Sequence, residues 1–379
     1  MLCRVETDLP AGQPLGLMLR MRLLALLLWT LLAGSMCAGA APEPSRPLVM
    51  VHVMPWFEAP PTHPTWGWHW TMGKTQPASG SLATHDRPLI GAYDSSDPRV
   101  LAYQVALMKT AGVDGAIIDW NGTGGFADYA MIHANTARLI AALKTAGLRF
   151  AICVEDNPGH RFQAELRLPR AAATTRLRES FQWLDQHWLT DPAYLRIDGR
   201  PLLFLFGPQY LEAKEWSEIR PTLATNPLTL GLPHLSQRPG LDGAFAWIPV
   251  SGGQPSAPPN WTAALADVYA TARPGRPVVA VAFPGFHDYY AEAGVGPSYG
   301  RIDDRAGLTF AESLEQAWRS GAPVVQVATW NDYGEGTVIE PTEGQGHRHL
   351  TTLMRRLKPQ ADPAELTRLT ADYLKAIRR

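Results

Sequence analysis

The sequence predicts an α/β protein folded as one closed (β/α)8 TIM barrel, and three observations carry this. Apolar, β-branched runs alternate with segments whose apolar residues recur at helical spacing, from about residue 48 to residue 357, which implies parallel strands joined by crossover helices. Eight such runs occur, the number that closes a barrel. Polar and aromatic residues gather where the runs end, and that is the rim on which a barrel of this kind collects its chemistry. The chain has 379 residues, 46% hydrophobic and 18% charged. That suffices for one such domain, which takes about 250 residues or more. An open doubly wound sheet is the structural alternative.

In chain order, Leu48 to Phe57 reads as the first strand and Val100 to Ala111 as the helix that follows it. Asp114 to Trp120 is the second strand and Tyr129 to Ala146 its helix, with apolar residues three and four apart. Arg149 to Val154 and Thr174 to Leu189 form the third unit, Pro201 to Phe206 and Glu212 to Leu223 the fourth. Leu228 to Leu232 is a short fifth strand. Between it and the sixth, Gly243 to Val250, there is only a Pro/Gly loop with no room for a full helix. Trp261 to Ala272 is helical, Pro277 to Phe283 is the seventh strand, and Phe310 to Ser320 is helical. Pro323 to Thr329 is the eighth strand, and His349 to Leu357 closes the series. One insertion interrupts the rhythm. Glu58 to Asp97 follows the first strand and holds Trp66-Gly67-Trp68-His69-Trp70. Loops of this length are usually functional, and in a barrel this one lies over the catalytic face.

Three segments follow from composition. Residues 1–40 read as an export signal: Arg20 and Arg22, then the apolar run Leu23 to Leu32, then the small residues Ala38-Gly39-Ala40 at the cleavage site. The run is too short to be read as a spanning helix, so no stable membrane insertion is expected after cleavage. The first twenty residues lack this pattern and are expected to derive from an upstream start codon. A lipoprotein anchor at Cys37 is disfavoured because bulky Met36 stands where a small residue is needed. Residues 41–47 are a Pro-rich linker, and 48–379 the barrel domain. The expected location is therefore periplasmic or extracellular. Of Cys3, Cys37 and Cys153, only Cys153 survives cleavage, so the mature chain has no internal disulfide. In its apolar strand Cys153 reads as a small core residue rather than a nucleophile. A net charge of −1 gives no reason to expect nucleic acid or an anionic membrane as a partner. Thirteen Trp against eleven Tyr and eleven Phe is a different signal. Indole offers a wide apolar face and one N–H donor, which suits the apolar C–H faces and polar rims of sugars.

The chemistry concentrates in Ala328-Thr329-Trp330-Asn331-Asp332-Tyr333-Gly334-Glu335-Gly336-Thr337. Asp332 and Glu335 fall just beyond the eighth strand. Paired carboxylates are what glycoside hydrolysis needs, one to protonate the leaving oxygen and one to generate the nucleophile or meet developing charge. A polar loop whose acids cap backbone amides has the same spacing. Other strand ends add Trp56, Asp119-Trp120, Glu155-Asp156-Asn157, Phe206, Trp247 and His287-Asp288. If the barrel closes, these converge into one acid-rich, aromatic-lined cleft.

This motif, with Ile339-Glu340-Pro341-Thr342 after it, resembles the C-terminal signature of glycoside hydrolase families 71 and 99. Supporting segments follow in order: Ile90 to Pro98, Gly112 to Gly115, Glu155, Tyr194 to Pro201, Leu241 to Phe245, and Phe283 to Phe286. The resemblance implies a (β/α)8 barrel that acts without metal or cofactor on internal α-linkages of a carbohydrate, α-mannoside in family 99 and α-1,3-glucan in family 71. It implies Glu335 as the general acid and Asp332 as its partner carboxylate. In family 99 the partner is a glutamate that deprotonates the sugar 2-hydroxyl, and a Trp-His pair stands where Tyr333-Gly334 stand here. The Asp-Tyr-Gly-Glu form is closer to family 71, taken to invert. Asp is one methylene shorter than Glu, so its reach differs. Stereochemistry follows from carboxylate separation, which a sequence does not contain.

Around that pair, Glu155 is a candidate for binding sugar hydroxyls or tuning the pair, or for a rim ion pair. Asp119 is a candidate for the same roles or for capping its loop. Trp56, Trp68, Trp120 and Tyr299 are candidate stacking platforms, Trp120 equally a core residue. Arg301, Asn331 and Tyr333 are candidate substrate contacts. His63, His69 and His85 share a loop and His347 and His349 lie two apart, but none has a recognised metal-ligand spacing. No phosphate loop is present, since no Lys-Ser/Thr follows the glycines at 122–125. Two function classes therefore stand: an exported glycoside hydrolase, and a non-catalytic carbohydrate-binding barrel. Retention of both Asp332 and Glu335 favours the enzyme.

Overall fold

Eight short parallel strands close on themselves in a computed structural model that describes residues 46–378. The expected signal segment, its cleavage site, Cys37 and most of the linker lie outside the described residues. The strands are β1 (Leu48–Val53), β2 (Gly115–Trp120), β3 (Arg149–Val154), β4 (Arg200–Leu205), β5 (Leu228–Gly231), β6 (Gly243–Phe245), β7 (Val278–Ala282) and β8 (Val324–Val327). Each pairs with its neighbours in sequence, and β8 pairs with β1, so the sheet has no free edge. The open-sheet alternative is excluded. Their residues are almost all buried, as expected where helices cover the outside and side chains fill the inside of a parallel sheet.

Glycine fixes two of the junctions. A Cβ on Gly115, the first residue of β2, would sit 2.1 Å from the carbonyl oxygen of Arg149, and one on Gly243 would sit 2.1 Å from that of Pro277. No side chain fits between strands that close.

The outer layer comprises α1 (Pro98–Ala111), α2 (Tyr129–Thr145), α3 (Pro158–Ala164), α4 (Arg170–His187), α5 (Ala213–Ile219), α6 (Pro258–Tyr269), α7 (Leu308–Arg319), α8 (Arg348–Leu357) and α9 (Ala364–Ile377). The missing helix between β5 and β6 is indeed missing; turns fill residues 232–242. Strand ends differ from the sequence reading. β1 stops at Val53 and β6 at Phe245, because the following residues leave the ladder to line the cleft. α9 was not anticipated. It seals α1, with Leu366 buried and the Tyr103 hydroxyl 2.9 Å from Thr370 Oγ1. Among the described residues no helix is long and apolar enough to cross a membrane.

Candidate active site

The loop after β8 is built to hold two acids in one place. Trp330 N–H donates to the His52 carbonyl at 2.7 Å, so the motif leaves the barrel tied to β1. Thr329 N–H then donates to the Thr337 carbonyl, also at 2.7 Å, closing the loop on itself. Within it, Asp332 N–H donates to Thr329 Oγ1 at 2.7 Å, and Glu335 N–H donates to Asp332 Oδ1 at 3.1 Å. Asp332 therefore caps an amide as well as facing the cleft, and the two readings of the motif are compatible. The β7 loop clamps it from outside. His287 N–H donates to the Glu335 carbonyl and Tyr289 N–H to the Gly334 carbonyl, both at 2.9 Å. Gly336 has φ +64, and a Cβ there would lie 2.7 Å from the His287 carbonyl oxygen, so the clamp requires glycine. The clamp delivers Tyr290, whose hydroxyl donates to Glu335 Oε1 at 3.3 Å.

A cleft of about 630 Å³ opens above the barrel, and residues at the end of every strand line it. They include His52 and Trp56 from β1 and its loop, Asp119 from β2, Glu155 after β3, Phe206 after β4, Leu232 after β5, Trp247 after β6, Tyr290 after β7, and Asp332 and Glu335 after β8. Burial dominates its electrostatics. It pushes the Glu335 carboxyl well above the usual range; the Asp332 charge adds to this, and the Tyr290 hydrogen bond opposes it. Asp332 is pushed up to about 6 by burial, against the amides of Glu335 and Gly334, which favour the ionised form. Glu155 is raised to about 7 by burial and then by the charges of Asp156 and Asp332. Asp119 is raised well above its ordinary value by burial, then by Glu155 and Asp332.

A second lobe of about 650 Å³ adjoins the first and shares Trp56, Glu155 and Asn157 with it. The long β1 loop forms one wall with Trp68 and His69, and Asp128, Tyr129 and Arg161 form the other. Trp56 stacks on His69, with ring centroids 4.2 Å apart and 11° between planes. His69 Nε2 lies 3.3 Å from Asp128 Oδ2. Trp68 is 48% exposed and Tyr299 55% exposed, one at each side of the combined cleft.

The structure thus brings Asp332, Glu335, Glu155, Asp119, Trp56, Trp68 and Tyr299 to one surface. Four candidates go elsewhere. Trp120 is fully buried among Trp183, Trp188 and His133 and keeps no face for a sugar. Asn331 is spent on the backbone: its Oδ1 accepts from Met54 N–H at 2.8 Å, and its Nδ2 donates to the Met54 carbonyl and to Tyr93 Oη, each at 3.0 Å. Tyr333 is buried against Phe57 and Trp70 and donates to Glu340 Oε2 at 2.9 Å. Arg301 is exposed near Asp303 and lines a separate groove beside α6. Residues missed as site members are Tyr290, His52 and Arg161, while Asn157 and Trp247 were placed at the cleft without an assigned role. Asn157 and Trp247 stood at strand ends and were legible by that rule. Tyr290 had no signal, since only the β7–β8 clamp aims it.

Comparison with solved structures supports the fold. A family 99 endo-α-mannosidase from Bacteroides thetaiotaomicron has a TM-score of 0.61 at 18% identity, covering 87% of this chain and 98% of its own. The same enzyme with bis-tris propane gives 0.60 at 20% identity over the same shares. A glycoside hydrolase-like protein gives 0.58 at 12% identity, covering 84% of this chain and 97% of its own. No protein-family model matches the sequence, and no curated protein matches it significantly.

Proposed function

We propose that this protein is an exported glycoside hydrolase that cleaves internal α-linkages of an α-mannan-like or α-glucan polymer or glycan. One observation carries the reading: two neighbouring carboxyls in one cleft whose surroundings push their proton affinities apart. Glu335 is driven up by burial and by Asp332, while amide N–H groups hold Asp332 closer to its ordinary range. Such a pair assigns its own roles. Glu335, the more readily protonated of the two, donates to the leaving oxygen. Asp332, ionised more readily, abstracts a proton from the nucleophile or meets the developing positive charge at the anomeric carbon. Glu155 adds an acidic group to the floor that binds sugar hydroxyls, with Asp119 buried beneath it.

Internal cleavage is supported by the shape. The two lobes run from the Asp332/Glu335 pair past Trp56 to Trp68 and Arg161, and the first lobe also reaches His234, Arg238 and Tyr299, so an extended chain has room on both sides of the cut. Trp56, Trp68 and Tyr299 offer apolar faces along this path. The barrel is shared with an endo-α-mannosidase, which makes α-mannan the first substrate to try. Export rests on the pattern of residues 20–40, with a periplasmic or extracellular destination.

The test is incubation with α-mannan, α-1,3-glucan and a panel of other α- and β-glycans, reading released oligosaccharides by mass spectrometry. Release of oligosaccharides from one α-glycan is the expected result. Tight binding of a glycan with no product would instead identify a carbohydrate-binding barrel.

A further inference from the structure

Below the acids, three donor groups converge from adjacent strands. His52 lies on β1, Asp119 on β2 and Cys153 on β3, with Asp119 and Cys153 direct register partners. All three are buried, and an imidazole nitrogen, a carboxylate oxygen and the thiol sulfur lie within 4.8 Å of one another. The tautomer of His52 follows from its neighbour. Gln326 Nε2 donates to the Ala246 carbonyl at 2.5 Å, so Gln326 Oε1, 3.4 Å from His52 Nδ1, is the acceptor. Nδ1 therefore carries the proton and Nε2 the lone pair. That Nε2 has no hydrogen-bond partner, and neither oxygen of Asp119 has one. Buried polar atoms left unpaired each cost about 1–3 kcal/mol; here three of them stand beside one thiol.

We propose that His52, Asp119 and Cys153 form a binding site for a divalent transition-metal ion, Zn2+ foremost. Thiolate, imidazole and carboxylate together are a zinc donor set and a poor one for Mg2+ or Ca2+. Ligand atoms around tetrahedral zinc stand about 3.5 Å apart, so side-chain rotation closes the observed spacing. As the ion enters, the Cys153 thiol and the Asp119 carboxyl release their protons to water, and the two resulting charges balance the dication. Gln326 plays the outer role usual for a metal-bound histidine, fixing the ring through its other nitrogen. His52 and Asp119 both line the cleft, which supplies the entry path and leaves the fourth position facing it. An ion here sits under Glu155 and Asp332, so Zn2+ inhibits reversibly. That consequence rests on the proposed hydrolase activity; the binding does not.

The experiment is a Co2+ titration of the untagged full chain carrying Cys3→Ser and Cys37→Ser, which leaves Cys153 as the single thiol. A thiolate-to-cobalt charge-transfer band in the near ultraviolet is expected. It should saturate at one ion per chain, be displaced by Zn2+, and disappear in Cys153→Ser and His52→Gln. Absence of that band at saturating cobalt overturns the site. X-ray absorption of the zinc-loaded protein needs no further variant: one sulfur at about 2.3 Å is expected, and a shell of nitrogen and oxygen alone also overturns it. Should hydrolysis fail on every glycan, both spectra still report on the ion.

Discussion

Replacing Glu335 with Gln removes the transferable proton and changes little else. The side chain keeps its length, its oxygen still accepts from Tyr290, and the contacts that place the loop run through the Glu335 backbone. A positioned general acid contributes about 10²–10⁴ in rate, or roughly 3–5 kcal/mol. Burial raises the proton affinity of this carboxyl, which favours the form that donates. The loss on a natural glycan should fall in the upper part of that range, about 10³-fold or more. A dinitrophenyl glycoside departs as a stable anion without protonation, so its loss should be below about 10-fold. Reducing-end release and dinitrophenolate absorbance give the two rates. Equal losses on both substrates would refute the assignment, because a group needed irrespective of the leaving group is a base or nucleophile. Glycan hydrolysis near the wild-type rate would remove Glu335 from the chemistry.

Tyr290→Phe removes a hydrogen bond that favours ionised Glu335, so the acid stays protonated to higher pH. The basic limb of kcat/KM against pH should move up, and a downward move would contradict it. Trp56→Ala should raise KM about 2- to 10-fold with kcat nearly unchanged, the loss of one aromatic contact worth about 0.5–1.5 kcal/mol; a fall in kcat alone would place Trp56 outside substrate binding. Asn331→Ala strands the Met54 amide and carbonyl and should lower stability by about 2–4 kcal/mol in chemical denaturation. Glu340 is fully enclosed and raised from 4.5 to about 7 by burial, although Tyr93, Tyr333 and Gln104 donate to it. A carboxyl raised on folding favours the folded state below its unfolded value, and that contribution is lost as pH climbs through about 7. Wild-type stability should therefore decline between about pH 5 and pH 8, by up to about 3 kcal/mol from this group. Glu340→Gln should flatten the slope, and an unchanged slope would show that Glu340 does not titrate there.

Much of the barrel was legible because its signals are local. The run Val324 to Val327 is apolar and β-branched, the helix Tyr129 to Thr145 carries apolar residues at its own period, and both follow from which neighbours along the chain must be buried. Topology followed too, since parallel strands with crossover helices leave few arrangements. The rim rule then pointed to Asp119, Glu155, Asp332 and Glu335 at the ends of three separate strands. α9 carries Leu366, Leu369, Tyr373 and Ile377 at helical spacing, but it follows the last strand–helix unit, so the alternation that located the other helices did not reach it, and its place is decided by contact with α1.

Within the motif the limit is sharper. Asn331, Asp332, Tyr333 and Glu335 are nearly consecutive and equally polar in the sequence, yet only Asp332 and Glu335 face the cleft. Asn331 turns to the Met54 backbone and Tyr333 to Phe57 and Trp70. The sequence by itself determined which strand ends carry acids and aromatics, because hydrophobic period and turn residues are properties of neighbours. Only the tertiary structure decided which of them reach the cleft, what raises their proton affinity and which hydroxyl touches Glu335. Burial and charge coupling arise between residues brought together from distant strands, and no local pattern records them.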